Sequence, residues 1–118
     1  MLKYKGGGIM AIDFYIADRM KSINHGDEMV SLEEKTHNKI YKIYKNNELR
    51  EGIQILAELD PYGDRVIEIK ELELIIENIR KEISLDEVHG SVSNFFKEFI
   101  KLSERAIDRK IKVIAIGD

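Results

Sequence analysis

Two short segments near opposite ends of this sequence have apolar residues at alternate positions. In the first, "MAIDFYIADR", Ile12, Phe14 and Ile16 recur at every second position, and the second, "KIKVIAIGD", has a similar pattern. This spacing predicts β-strands, because successive side chains of a strand point to opposite faces of a sheet. An isolated strand leaves its backbone N–H and C=O groups unpaired. We therefore predict that the two segments pair with each other in one sheet.

The sequence between them predicts four helices, over residues 32–45, from 47 to near Asp60, 70–83, and from 84 to about 102. Within each, apolar residues recur at spacings of three and four, which places them on one face. Ser31 with Glu34, and Ser84 with Glu87, have the spacing of a capping box, a motif of helix N-termini. Gly90 either lies within the last helix, at a cost of about 1 kcal/mol relative to alanine, or marks a break.

These elements indicate an α+β fold, with about four helices packed on a small sheet that includes the N- and C-terminal strands. The β-favourable segment "RVIEI" is a candidate third strand, and residues 22–30 are predicted to form a loop. The length, 118 residues, is near the common size of one domain. We expect residues 10–118 to form a single globular domain. Residues 1–9 contain three consecutive glycines and are expected to be a flexible tail, or a translated leader if Met10 is the native start.

Composition excludes several kinds of site. The chain has no cysteine, which rules out disulfides, thiolate chemistry and cysteine-ligated zinc, and a cytoplasmic location is expected. No apolar run approaches the roughly 20 residues of a membrane-spanning helix, so no membrane partner is predicted. The three histidines are far apart in the sequence, and no phosphate-binding loop or serine nucleophile elbow is present. We therefore predict no catalytic residue and no cofactor, while a small enzyme of unrecognised type remains an alternative.

Acidic residues are concentrated in the middle of the chain. The formal net charge is −3, and residues 46–83 hold 10 acidic against 5 basic residues. Nucleic-acid binding requires clustered lysine and arginine, so this distribution argues against a nucleic-acid partner. A basic protein surface is the partner that it favours.

The segment "LDPYGDRVIEIKEL" contains the only proline and supports two interpretations. Aspartate, proline and glycine at positions 60, 61 and 63 are the preferred residues of a type I turn. The same segment aligns with the calcium loop of an EF-hand, whose ligands would be Asp60, Asp64, the Val66 carbonyl, Glu68 and Glu71. Two positions depart from that loop, because Tyr62 supplies no carboxylate and Arg65 replaces the glycine. We favour the turn, and a degenerate calcium-binding module remains an alternative.

A tyrosine at the tip of this turn, surrounded by acids, is typical of a protein-binding surface, where tyrosine is enriched at energetically dominant positions. We predict that the partner-binding residues are Glu58, Asp60, Tyr62, Asp64, Glu68, Glu71, Glu73 and Glu77.

Three patches carry a resemblance to a group of known proteins: the opening "IDFYI", the turn "LDPYGD" and the ending "IGD". Together they resemble small acidic bacterial proteins that include probable immunity proteins of polymorphic or contact-dependent toxin systems. The resemblance implies a cytoplasmic protein that binds one cognate toxin domain. It also implies neutralisation by occlusion, with acidic side chains covering the basic active-site surface of the toxin.

Overall fold

The computed structural model describes residues 11–23, 28–46, 51–84 and 90–117. The expectations for residues 1–9, and those for Glu87 as part of a helix cap, lie outside these ranges.

Within these ranges, four antiparallel strands form one sheet: β1 (Ala11–Ile16), β2 (Met29–Glu33), β3 (Asp64–Ile67) and β4 (Val113–Ile116). Their order across the sheet is β2-β1-β4-β3. The two terminal strands pair as predicted, with Phe14 opposite Ala115, and the candidate third strand is added at the edge as β3. The predicted α+β class, with both terminal strands in the sheet, is confirmed.

The presence of strand β2 shows that the predictions for residues 22–33, a loop followed by a helix cap at Ser31, were wrong in part. The loop interpretation fails at Met29 and Val30, and Ser31 lies within the strand, where it cannot cap a helix. Its hydroxyl instead donates a hydrogen bond of 2.6 Å to Oδ1 of Asp13, the residue opposite it on β1. A cross-strand bond therefore replaces the predicted capping box.

The described residues also contain four α-helices: α1 (Glu34–Asn46), α2 (Glu51–Ala57), α3 (Ile69–Ser84) and α4 (Ser91–Arg109). Gly90 precedes α4 with φ of 59° and ψ of −125°, a conformation that strongly favours glycine, so it lies at the start of this helix and not within it. Lys110 ends the helix in the left-handed conformation, with its amide bonded back to the last turn.

The core lies between the helices and one face of the sheet. Phe14 of β1 contacts Phe95 and Phe99 of α4, with ring centroids 5.7 and 5.1 Å apart. These rings are fully or almost fully buried, and tilted or edge-on contacts are favourable arrangements for aromatic pairs. Helix α4 thus anchors the helical layer to β1.

Two buried polar contacts fix α2 between its neighbours. Nε2 of His37 in α1 donates a 3.0 Å hydrogen bond to the Leu56 carbonyl, and the Gly52 amide donates a 2.6 Å bond to Oδ1 of Asn78 in α3. A Cβ atom on Gly52 would lie 2.8 Å from the backbone of Ile75, so only glycine permits this helix approach. The contacts set the position from which α2 leads into the turn at residue 60.

Candidate functional site

The turn between α2 and β3 is closed by two hydrogen bonds to Asp60. The Gly63 amide donates to the Asp60 carbonyl at 3.1 Å, and the Tyr62 amide donates to Oδ1 of Asp60 at 2.9 Å. The first is the bond between residues i and i+3 of a β-turn. The second is a bond that aspartate side chains commonly accept from the backbone amide two residues later. The predicted turn is confirmed. Its geometry leaves the Tyr62 side chain 72% exposed.

The chain end after β4 holds the turn in place. The Gly117 amide donates a 2.8 Å hydrogen bond to the Gly63 carbonyl, and a Cβ on Gly117 would lie 2.4 Å from the carbonyl oxygen of Pro61. Only a residue without a side chain fits there. Sequence reasoning missed this contact; the one available signal was a glycine immediately after a strand.

The three sequence patches that carried the resemblance meet at this end of the sheet. Asp13 of "IDFYI" and Asp64 of "LDPYGD" both lie opposite Ile116, the first residue of "IGD". Patches far apart in the sequence are therefore adjacent in the fold.

Exposed acids surround the turn. Glu58, Asp60 and Asp64 are exposed and line a cavity of about 190 Å³. Glu68, also exposed, lies 3.7 Å from Nζ of Lys112. With Tyr62 they form what we call the turn surface, defined by Glu58, Asp60, Tyr62, Asp64 and Glu68.

Glu71 has a structural role at the start of α3. Its Oε1 accepts a 3.0 Å hydrogen bond from the Glu68 amide, and its Oε2 accepts one of 2.7 Å from Nη2 of Arg65. Burial raises the pKa of Glu71, but the Glu68 amide and the Arg65 guanidinium outweigh that effect and hold the pKa below its ordinary value. The first bond is the reciprocal half of a capping box.

Arg65 is the residue that sequence reasoning assigned least well. It was considered only as a misfit at the glycine position of a calcium loop, whereas it binds Glu71 across the β3–α3 connection. Its Nη1 is buried and has no hydrogen-bond partner. Glu58 and Glu71 line a groove of about 550 Å³ together with Arg65, so these two predicted residues are brought together.

The same bonds bear on the calcium interpretation. Glu71 would be the bidentate ligand of an EF-hand, yet both of its oxygens already have partners. Over the described parts of the chain, no three histidine, aspartate or glutamate side chains converge on a point that could hold a metal ion. Calcium binding would require Glu71 to leave Arg65.

Glu73 and Glu77 lie apart from the other predicted residues. They line a groove of about 700 Å³ between α3 and α4 that shares no lining residue with the groove containing Glu58 and Glu71. The predicted single surface is thus distributed over two sides of α3. The periodicity of a helix predicts this separation, because residues 71 and 74 lie on one side of α3 and residues 73, 76 and 77 lie on the other.

Within the described residues, no helix has the combination of length and apolar character that is needed to cross a membrane.

Comparisons with family models, with curated proteins and with solved structures give no significant match for this chain.

Proposed function

We propose that this protein is a binding module for a basic protein domain, and specifically an immunity protein that neutralises a cognate bacterial toxin in the cytoplasm. The observation that supports the proposal best is the position of Tyr62. Its side chain is 72% exposed at a turn that two bonds to Asp60 and one between Gly63 and Gly117 hold in place. An exposed aromatic side chain on a rigid support is typical of a binding surface, because little conformational entropy is lost when a partner covers it.

The charges beside Tyr62 favour a basic partner. Glu58, Asp60 and Asp64 are exposed, and in the described structure no ion pair engages any of them. Unpaired surface carboxylates attract a positively charged domain over a distance of several ångströms and raise the association rate.

Occlusion is the mechanism consistent with this surface. Enzymes that cleave nucleic acids bind phosphates through basic clefts. An acidic surface with a protruding tyrosine matches such a cleft in charge and in shape, so binding would exclude the nucleic-acid substrate. The protein itself then needs no catalytic group.

The test uses a purified toxin domain encoded beside this gene as the titrant in calorimetry, with its cleavage of nucleic acid measured in parallel. We expect tight binding, loss of cleavage, and affinity reduced by about 10- to 100-fold in Tyr62→Ala, as for a dominant interface tyrosine. Tyr41→Ala is the matched control, because Tyr41 is 41% exposed on α1, away from the turn. Binding without inhibition would support a binding module and refute the immunity function; no binding would refute both.

A further inference from the structure

The groove between α3 and α4 has an apolar floor and charged walls. Ile76 and Ile107 form the floor, and the cavity measures about 700 Å³. Six charged side chains form the rim: Glu73, Glu77, Arg80 and Lys81 from α3, and Glu104 and Asp108 from α4. A groove with an apolar floor and charged borders has the shape and chemistry to hold another protein segment.

The rim carries a surplus of negative charge. Arg80 pairs with Glu104 across the groove at 2.9 Å, and Lys81 pairs with Glu77 along α3 at 3.6 Å. Glu73 and Asp108 remain, one on each wall, and neither makes an ion pair within the described structure. The two walls therefore both present an uncompensated carboxylate beside the apolar floor.

The spacing of the acids matches that of a helix. Glu73 and Glu77 are four residues apart on α3, and Glu104 and Asp108 are four residues apart on α4. Four residues correspond to a rise of about 6 Å along a helix axis. A partner helix lying in the groove could place lysines or arginines on both sides of an apolar stripe, one row facing each wall.

We propose that this groove binds an amphipathic helix of the partner whose apolar stripe is bordered by basic residues. The inference rests on the proposed function, since it names a second element by which the partner is held. It concerns a surface on the opposite side of α3 from Glu71, so it can be tested separately from the turn surface. Charge complementarity selects this occupant over an acidic helix, which would bring like charges together.

The experiment uses a synthetic helical peptide of about 18 residues, five turns, built from leucine and lysine with one apolar stripe. It is titrated into the full-length ¹⁵N-labelled protein while amide chemical shifts are recorded. We expect shifts at Ile76, Arg80 and Ile107, and none at Tyr62. The same peptide with glutamate in place of lysine should leave the spectrum unchanged.

Charge-reversal variants provide the quantitative part. The double variant Glu73→Lys, Asp108→Lys should weaken binding of the lysine peptide at least tenfold, because it replaces the two unpaired carboxylates with cations. Glu98→Lys is the matched control on α4. Ile107 is nine positions after Glu98, which is about two and a half turns and places Glu98 on the opposite side of the helix. The Glu98→Lys variant should bind the lysine peptide with the same affinity as the unaltered protein.

The outcomes separate this inference from the proposed function. Four outcomes would each overturn the inference. The peptide could fail to bind, or could shift only amides of the turn surface. All variants could weaken peptide binding equally, or the free protein could dimerise through the groove. If the toxin domain binds at Tyr62 but the peptide does not bind in the groove, only the proposal of helix binding in the groove is refuted. A peptide bound in the groove, with no toxin domain neutralised, refutes the immunity function alone.

Discussion

The amide of Gly117 donates a 2.8 Å hydrogen bond to the carbonyl of Gly63. This bond joins the end of a central strand to the turn that presents Tyr62. It extends the β3–β4 pairing by one residue pair, since Asp64 lies opposite Ile116. The position of the tyrosine is therefore set by residues more than fifty positions away in the sequence.

Gly117→Ala should destabilise the protein by about 1–3 kcal/mol, the usual cost of forcing an extra methyl group into a packed site. The added Cβ would lie 2.4 Å from the backbone oxygen of Pro61, which can move only with the turn. Gly63→Ala is the matched control, because its Cβ would meet only side-chain atoms of Asp60, the nearest at 3.0 Å, and a shift of a few tenths of an ångström relieves that contact. Chemical denaturation measures the free energy of unfolding of both variants. An equal loss of stability in the two would contradict the explanation.

Glu71→Ala should lower the free energy of unfolding at neutral pH by about 1 kcal/mol, because it removes the partner of both the Glu68 amide and Arg65. Glu71→Gln should cost less, since its amide oxygen can still accept the Glu68 bond.

The pH dependence of the Glu71→Gln difference follows from the lowered pKa. The folded state holds the pKa of Glu71 below the ordinary value of 4.5, so the unfolded state binds the proton more readily. The stabilisation is complete above pH 4.5 and is lost as the pH falls through the lower folded pKa. Denaturation of both proteins across this range tests the sign; a difference that grows towards acid pH would show that it is wrong.

Calcium at about 5 mM should leave the melting temperature unchanged, because a ligand stabilises a protein only by binding its folded state. Both carboxylate oxygens of Glu71 are bound to other groups, which leaves the calcium loop without its bidentate ligand. Magnesium at the same concentration controls for ionic strength. A rise that is specific to calcium and absent in Glu71→Gln would restore the EF-hand interpretation.

The strand pairing of the two termini could be predicted from the sequence, because unpaired backbone groups leave few alternatives. The presence of the helices could be predicted for a similar reason, since the apolar spacing of Leu72, Ile75 and Ile79 fits only a helical face, and all three are buried. Their ends were predicted less well, because α4 continues to Arg109 and not to about residue 102. These inferences depend on local patterns that the tertiary structure reinforces.

Strand β2 could not be separated from a helix start by local rules. Ser31 and Glu34 satisfy the capping-box spacing, while Val30 and Leu32 satisfy the alternation of a strand, and both are buried. The strand forms because residues 29–33 pair with residues 11–15 of β1, where Asp13 also accepts the Ser31 hydroxyl. A contact between residues eighteen positions apart is not visible in either local pattern.

The candidate site was predicted in its components but not in its arrangement. Tyr62 and its neighbouring acids lie together because they occupy one short turn. Glu71 proved to be a capping residue, and Glu73 faces another groove, because the helical rotation of α3 separates residues that are adjacent in sequence.

Strand β4 lies between β1 and β3, although the ribosome synthesises it after both. Asp13 cannot pair with Ile116, the residue opposite it on β4, until nearly the whole described chain has been synthesised. Strands β1 and β2 can pair earlier, whereas β3 has β4 as its single partner among the described strands. Non-local pairing of this kind slows folding. The turn that carries Tyr62 therefore acquires its final support only after Gly117 has been synthesised, so the nascent chain cannot present the completed surface before then.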